Sequence, residues 1–191
     1  MDTTRPSLLL RIRDREDVGA WQTFDALYRP MLQRFARARG LSDEDAEDTA
    51  QHCLTVISER IAEFSYDPQR GRFKGWLRTL VNNRVRNLLR DRRAEAGHTA
   101  ELADVAEREP TPDEAFDQIW LEEHLWHCLR ELRGEVEDTT FLAFQRYVIE
   151  QRPIEEVCTE LRLAPGNVHT IKWRLTQRVA TKMRELLDGL E

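Results

Sequence analysis

RGRFKGWLRTLVNNRVRNLLRDRR, residues 70–93, reads as one amphipathic helix. Phe73, Trp76, Leu77, Leu80, Val81, Val85, Leu88 and Leu89 recur three or four apart, the spacing that gathers side chains on one face of a 3.6-residue repeat. The opposite face carries Thr79, Asn82, Asn83, Arg86, Asn87 and Arg90, a stripe of amides and positive charge without a carboxylate. Nine basic residues stand in this stretch against Asp91 alone, in a chain of 191 residues with net charge −6. A basic stripe inside an acidic protein points to an anionic polymer, and nucleic acid is the natural partner. A merely solvated helix face is the alternative that charge leaves open. Trp76 at the edge of the stripe favours nucleic acid, because aromatics beside arginines stack on unpaired bases. Arg84 falls among the apolar residues, and a buried guanidinium needs an acid. Asp45 or Asp48 is the expected partner.

Around this helix the charge alternates along the chain. From Asp43 to Asp67 only Arg60 opposes eight carboxylates, and from Glu95 to Glu123 only Arg108 interrupts the acids. Base dominates again from Arg162 to Arg184. The pattern predicts two DNA-facing surfaces, each beside an acidic surface free to meet another partner. No apolar run approaches the roughly 20 residues of a membrane span, and the Leu8–Leu10 patch is cut by arginines before it forms a signal-peptide core. The expectation is a protein that stays in the cytoplasm, with no membrane insertion. Cys53, Cys128 and Cys158 are far apart and lack the pairing of a zinc or redox site, so they read as small core residues.

Upstream, Ser7 is placed to cap a short helix through Arg13. A second helix starts near Asp17 with Val18, Trp21, Phe24, Leu27 and Tyr28 on one side, and Pro30 kinks or restarts it. Met31, Leu32, Phe35 and Ala38 carry the apolar stripe on to Gly40. Ser42 with Asp45 resembles a capping box. It opens a third helix to about Phe64 that buries Ala46, Ala50, Cys53, Ile57 and Ile61, and shows Glu44, Glu47, Asp48, Gln51, Thr55 and Glu59 outward. Pro68 and Gly71 break the chain before the basic helix. Residues 1–94 thus suit one compact helical domain.

Residues 95–114 are acidic, with two prolines and no large aromatic, and read as a flexible linker. Residues 115–191 form a second domain. Phe116, Ile119, Trp120, Leu125, Leu129 and Leu132 mark one helix to Gly134, and Phe141, Phe144, Tyr147 and Val148 the next, to Pro153. Ile154, Val157 and Leu161 then give a short helix, Arg162–Ala164 a tight turn, and Pro165 starts a longer helix with Val168, Ile171, Leu175, Val179 and Leu186 inward. These are the proportions of a helix-turn-helix. In that unit the second helix enters the major groove. Asn167, His169, Thr170, Trp173 and Gln177 would meet base edges, while Lys172, Arg174, Arg178 and Lys182 would meet phosphates. An ordinary helical hairpin with a basic side is the alternative. The fold class is all-α: two small helical domains joined by an acidic flexible linker.

Together these residues resemble the extracytoplasmic function (ECF) group of bacterial sigma factors. The resemblance rests on Asp45-Ala46-Glu47-Asp48 with Gln51, then Phe64, Phe73, Trp76-Leu77, Asn83 and Arg90, which are similar to the family's region two. Ile154–Leu161 followed by Gly166, Val168 and Arg174 is similar to its region four. The resemblance implies a protein that binds core RNA polymerase through Glu47, Asp48, Gln51 and Thr55 and directs it to promoter DNA. It implies that the loop from Ser65 and the helix that follows open the minus-ten element, with Arg72, Phe73, Lys74, Trp76, Arg78, Asn82, Asn83, Arg86 and Arg90 as contacts. Asn167, His169, Thr170, Lys172, Trp173, Arg174 and Arg178 would read the minus-thirty-five element. Many relatives are held silent by an anti-sigma protein, which is a further partner the resemblance allows. Ala164 stands where relatives often place a capping Ser or Thr, and His169, Ile171 and Trp173 make the reading face less basic than in many of them.

A stand-alone helix-turn-helix regulator accounts for the C-terminal third but leaves the acidic third helix and the Trp76 helix without a purpose. A protein-binding adaptor would leave both basic helices as solvated faces. An enzyme finds little support. Asp48 and His52 are four apart, but a catalytic metal usually takes three protein ligands, and no phosphate loop, nucleophile elbow or paired-carboxylate signature is present. No catalytic residue, cofactor or metal site is expected.

Overall fold

The computed structural model describes residues 8–62, 73–95 and 111–188. Among them every regular element is helical, as the periodicity predicts: α1 (Leu8–Arg11), α2 (Val18–Ala38), α3 (Asp43–Arg60), α4 (Phe73–Glu95), α5 (Pro112–Glu135), α6 (Asp138–Phe144), α7 (Ile154–Leu161) and α8 (Pro165–Asp188), with a π-helical segment at Gln145–Ile149. The expected Ser7 cap, the loop from Ser65 to Arg72 and most of the 95–114 linker lie outside the described residues. The chain divides into two compact units, Met1–Glu123 with Asp188–Glu191, and His124–Leu187. Helix α5 supplies its residues up to Glu123 to the first and those from His124 to the second.

In the first unit Asp17 starts α2. Its carboxylate accepts the Ala20 backbone N–H at 2.9 Å and both forks of Arg11 at 3.0 Å. Those bonds, the one from Arg11 foremost, hold its carboxyl below the usual carboxylate range. Pro30 neither restarts nor ends the helix, and α2 runs through it. A proline removes one intrahelical bond, while Leu27, Tyr28, Met31, Leu32 and Phe35 on both sides of it are wholly buried and hold the helix in the core. Gly40 closes α2 at φ +87°, a left-handed position that L side chains rarely adopt. Ser42 then caps α3 by accepting the Asp45 N–H at 3.2 Å, with Asp43, Glu44 and Asp45 in the first turn where the helix dipole favours acids. Helix α3 ends at Arg60, earlier than its apolar pattern predicts.

The core of this unit is aromatic. Phe73 of α4 meets Phe24 at 6.0 Å and Tyr28 at 5.6 Å between ring centroids, both edge-on. Ala46, Ala50, Cys53 and Ile57 close it from α3, and burial pushes the Cys53 thiol up to about 12. Phe116 and Trp120, one turn apart on α5, seat against Phe35 at 5.4 Å and Tyr28 at 5.7 Å.

The second unit packs Leu129, Leu132, Phe144, Leu175 and Val179 together, with Ala143, Val157 and Val168 in an adjoining cluster. Between α7 and α8 the turn is made by Arg162 at φ 54°, after which Leu163 N–H bonds the Cys158 carbonyl at 3.1 Å. Ala164 begins α8 with its carbonyl alone, which accepts Asn167 N–H at 2.9 Å, and Pro165 follows in the first turn.

Candidate nucleic-acid interface

Helix α4 is divided lengthwise. Phe73, Leu77, Val81 and Val85, spaced by four, are buried to within 1 % of complete and anchor it in the core. On the far side Asn83, Arg86, Asn87 and Arg90 are exposed. With Leu89 and with Arg39 from the end of α2 they line a concavity of about 610 Å³. Its lining holds three guanidinium groups, two amides and a leucine, and no acid. The Arg39 Nε is buried with no hydrogen-bond partner. Such a surface offers donors to an anion and amide edges to a planar polar group, against an apolar floor.

The N-terminal end of α4 is different. Phe73 is a core residue with no surface to give a ligand, which removes it from the set of DNA contacts. Trp76 is half-buried with its ring 5.7 Å from that of Phe73. Lys74 and Arg78 are already engaged, Lys74 with Asp117 at 2.7 Å and Arg78 with Asp113 at 3.6 Å. Arg72 lies outside the described residues. Asn82 is half-buried beside the exposed Asn83.

Glu47, Asp48, Gln51 and Thr55 share the outer face of α3, all four exposed. Arg29 of α2 braces this face, donating to Glu47 at 2.7 Å and to Gln51 at 3.1 Å while it holds Asp25 one turn away at 2.8 Å. Gln33 also donates to Glu47. Thr55 turns its hydroxyl back to the Gln51 carbonyl at 3.0 Å. No group of three His, Cys, Asp or Glu side chains placed to hold a metal ion occurs among the described residues.

In the second unit Asn167, His169, Thr170, Lys172, Trp173 and Arg174 are exposed along the start of α8. Trp173 is 68 % accessible. Tyr147 props this end, meeting the His169 ring at 5.7 Å edge-on and lying under the Lys172 ammonium at 5.3 Å. Thr170 donates to the Gly166 carbonyl at 2.9 Å. Arg178 is tied to Glu135 at 2.6 Å, and Lys182 to Glu135 at 2.7 Å and Glu131 at 3.2 Å. Both therefore brace α8 on α5.

Residues 24–95 match the Sigma-70 region 2 family. The match opens at Phe24 of the aromatic core and closes at the last residue of α4, so it takes in the concavity and the acidic face together. It supports a sigma-70 family factor with a role in transcription initiation. No curated protein matches the chain. Within the region 2 segment the Arg84 expectation is overturned. Asp45 accepts instead from Arg92, which also reaches the Ser42 hydroxyl at 3.3 Å. Arg84 is half-buried beside Cys53, and its Nε has no partner. A helical wheel assigned Arg84 to the inner face but cannot say which acid lies across from it; Arg92, two turns further along the same side, reaches that acid first. Arg39 was missed as a lining residue of the region 2 concavity, because its signal is only a cation just before a helix-stopping glycine. Asn87 and Leu89 were seen on α4 but not as parts of one hollow with it. No helix among the described residues is long and apolar enough to cross a membrane.

Proposed function

We propose that the protein is an ECF-type sigma factor that binds core RNA polymerase and opens promoter DNA. One observation carries this reading: within the region 2 match, α4 buries one face completely and turns an acid-free hollow of Arg39, Asn83, Arg86, Asn87 and Arg90 outward. Guanidinium and amide groups around an apolar floor suit a strand whose bases have left the duplex. Unstacking costs a few kcal/mol per base, which such contacts offset. Trp76, Asn82 and the cations Lys74 and Arg78 extend the minus-ten surface toward the start of the helix. Glu47, Asp48, Gln51 and Thr55 form the polymerase-docking face on the adjacent helix.

In the same proposal α7 and α8 are a helix-turn-helix that reads the minus-thirty-five element as duplex. Asn167, His169, Thr170 and Trp173 meet base edges, and Lys172 and Arg174 meet phosphates. Arg178 serves the packing of α8 first and the backbone second. The first domain takes in the opening half of α5, through Glu123, whose Phe116 and Trp120 pack in its core, and the second begins at His124, later than the expected start at residue 115. A factor of this kind works where the polymerase is, in the cytoplasm, and an anti-sigma protein is a further partner in this reading.

The test is transcription by core polymerase on fragmented genomic DNA with and without the protein, followed by sequencing of RNA 5′ ends. New starts sharing two upstream elements at fixed spacing are expected. Sequence-specific DNA binding by the protein alone, with no stimulation and no co-elution with core enzyme, would assign a stand-alone regulator instead.

A further inference from the structure

The first half of α5 sits within the first unit, and its sequence fixes where it begins. Thr111 and Glu114 cap each other: the Glu114 carboxylate accepts the Thr111 N–H at 2.8 Å and its hydroxyl at 3.1 Å, and the Thr111 oxygen accepts the Glu114 N–H at 3.3 Å. Pro112 occupies the first helical position. Phe116 and Trp120 hold this half against α2 through their rings, and Arg34 binds it from the same helix through Glu122 and, at 3.2 Å, Glu123. On the flank beside that anchor stand Asp113 and Asp117, one turn apart. They face Arg78 and Lys74, also one turn apart, in antiparallel register. Lys74 is further held over the Trp120 ring at 5.8 Å.

We propose that this half of α5 is an acidic clamp, in which Asp113 and Asp117 take the place of nucleic-acid phosphates on Lys74 and Arg78 and so lower the affinity of region 2 for single-stranded DNA. The inference rests on the proposed DNA-facing role of α4. The apolar anchor keeps the carboxylates in place, while the ion pairs themselves are open to solvent and exchangeable with a competing anion. The hollow around Arg86 and Arg90 lies outside the clamp. A strand can therefore be held at one end of α4 while the other end stays closed to it.

The test uses the full chain and a labelled mixed-sequence single-stranded DNA, titrated at several salt concentrations. Asp113→Asn with Asp117→Asn should tighten binding roughly threefold to tenfold at low salt. The salt slope should steepen by roughly 1.4, about 0.7 for each phosphate newly contacted. Glu137→Gln with Asp138→Asn makes the same change of net charge in the second unit and should have no such effect. In a Lys74→Ala, Arg78→Ala background the gain should vanish, as a coupled pair requires. If the wild type binds, and Arg86→Ala with Arg90→Ala weakens it, but the Asp113/Asp117 variant behaves like the charge control, the clamp is wrong and the DNA-facing role of α4 stands. If neither wild type nor clamp variant binds, the clamp is likewise overturned, and the sigma reading is judged by the transcription assay alone.

Discussion

The two helices proposed to face DNA are built on opposite plans. Helix α4 is sunk into its unit by four fully buried residues, and its polar side forms a hollow with the end of α2. Helix α8 presents Trp173, 68 % accessible, on an open ridge, and is steadied from behind by Arg178 and Lys182 on the carboxylates of α5. A hollow with amide edges suits bases and backbone taken singly, whereas a ridge suits the groove of an intact duplex. The same residue types, Arg, Asn and Trp, thus serve different tasks according to whether the surface that carries them curves inward or outward.

The sharpest contrast lies between Phe73 and Trp173. Phe73→Ala empties the centre of an aromatic cluster and should cost about 3–5 kcal/mol of stability. Urea denaturation should show the loss in the first unit. Trp173→Ala should leave stability within about 0.5 kcal/mol of wild type, yet weaken recognition of duplex promoter where its ring meets a base edge. Footprinting on the upstream element would measure that loss. Equal stability losses in the two variants would erase the distinction between buried and presenting faces.

Most of this architecture was legible from periodicity and punctuation. Pro165 after a tight turn marks the start of α8, and the Phe73–Val85 spacing marks the buried face of α4. Phe73 carried two roles, because the spacing put it on the buried face of α4 while the family resemblance implied a DNA contact there. Only the rings of Phe24 and Tyr28 around it decide for the core. Pairings across helices were not legible, since helical angle gives a direction and not a neighbour. Arg84 and Arg92 show this, and so do Asp113 and Asp117, which in sequence are two more acids at the end of an acidic stretch.

Arg84 and Arg92 give the next measurement. Arg92 holds the carboxylate of the α3 cap, so Arg92→Ala should cost up to about 1 kcal/mol, as a partly exposed ion pair does. Arg84→Met keeps the volume beside Cys53 and removes a buried Nε that lacks a partner. Stability should be unchanged or slightly raised. A large loss from Arg84→Met with none from Arg92→Ala would restore the pairing expected from the helical wheel.

The smallest effect separates the two units by pH. His127 is buried in the second unit, and its pKa is lowered by that burial first, with Arg130 and the Lys182 ammonium from α8 adding to the effect and Glu131 opposing it. Below the ordinary histidine value of 6.5 the unfolded chain takes up a proton that the folded chain resists. The unfolded state then binds more protons, so stability must fall as the pH drops through 6.5 toward the lowered folded value, and must be level above it. His127→Gln removes this proton uptake. The urea midpoint of the second unit should therefore decline less between pH 7.5 and pH 5.5 in the variant than in the wild type, while the first unit should show no difference between the two proteins. An equal decline in variant and wild type would move the acid sensitivity away from His127 and onto another group of that core.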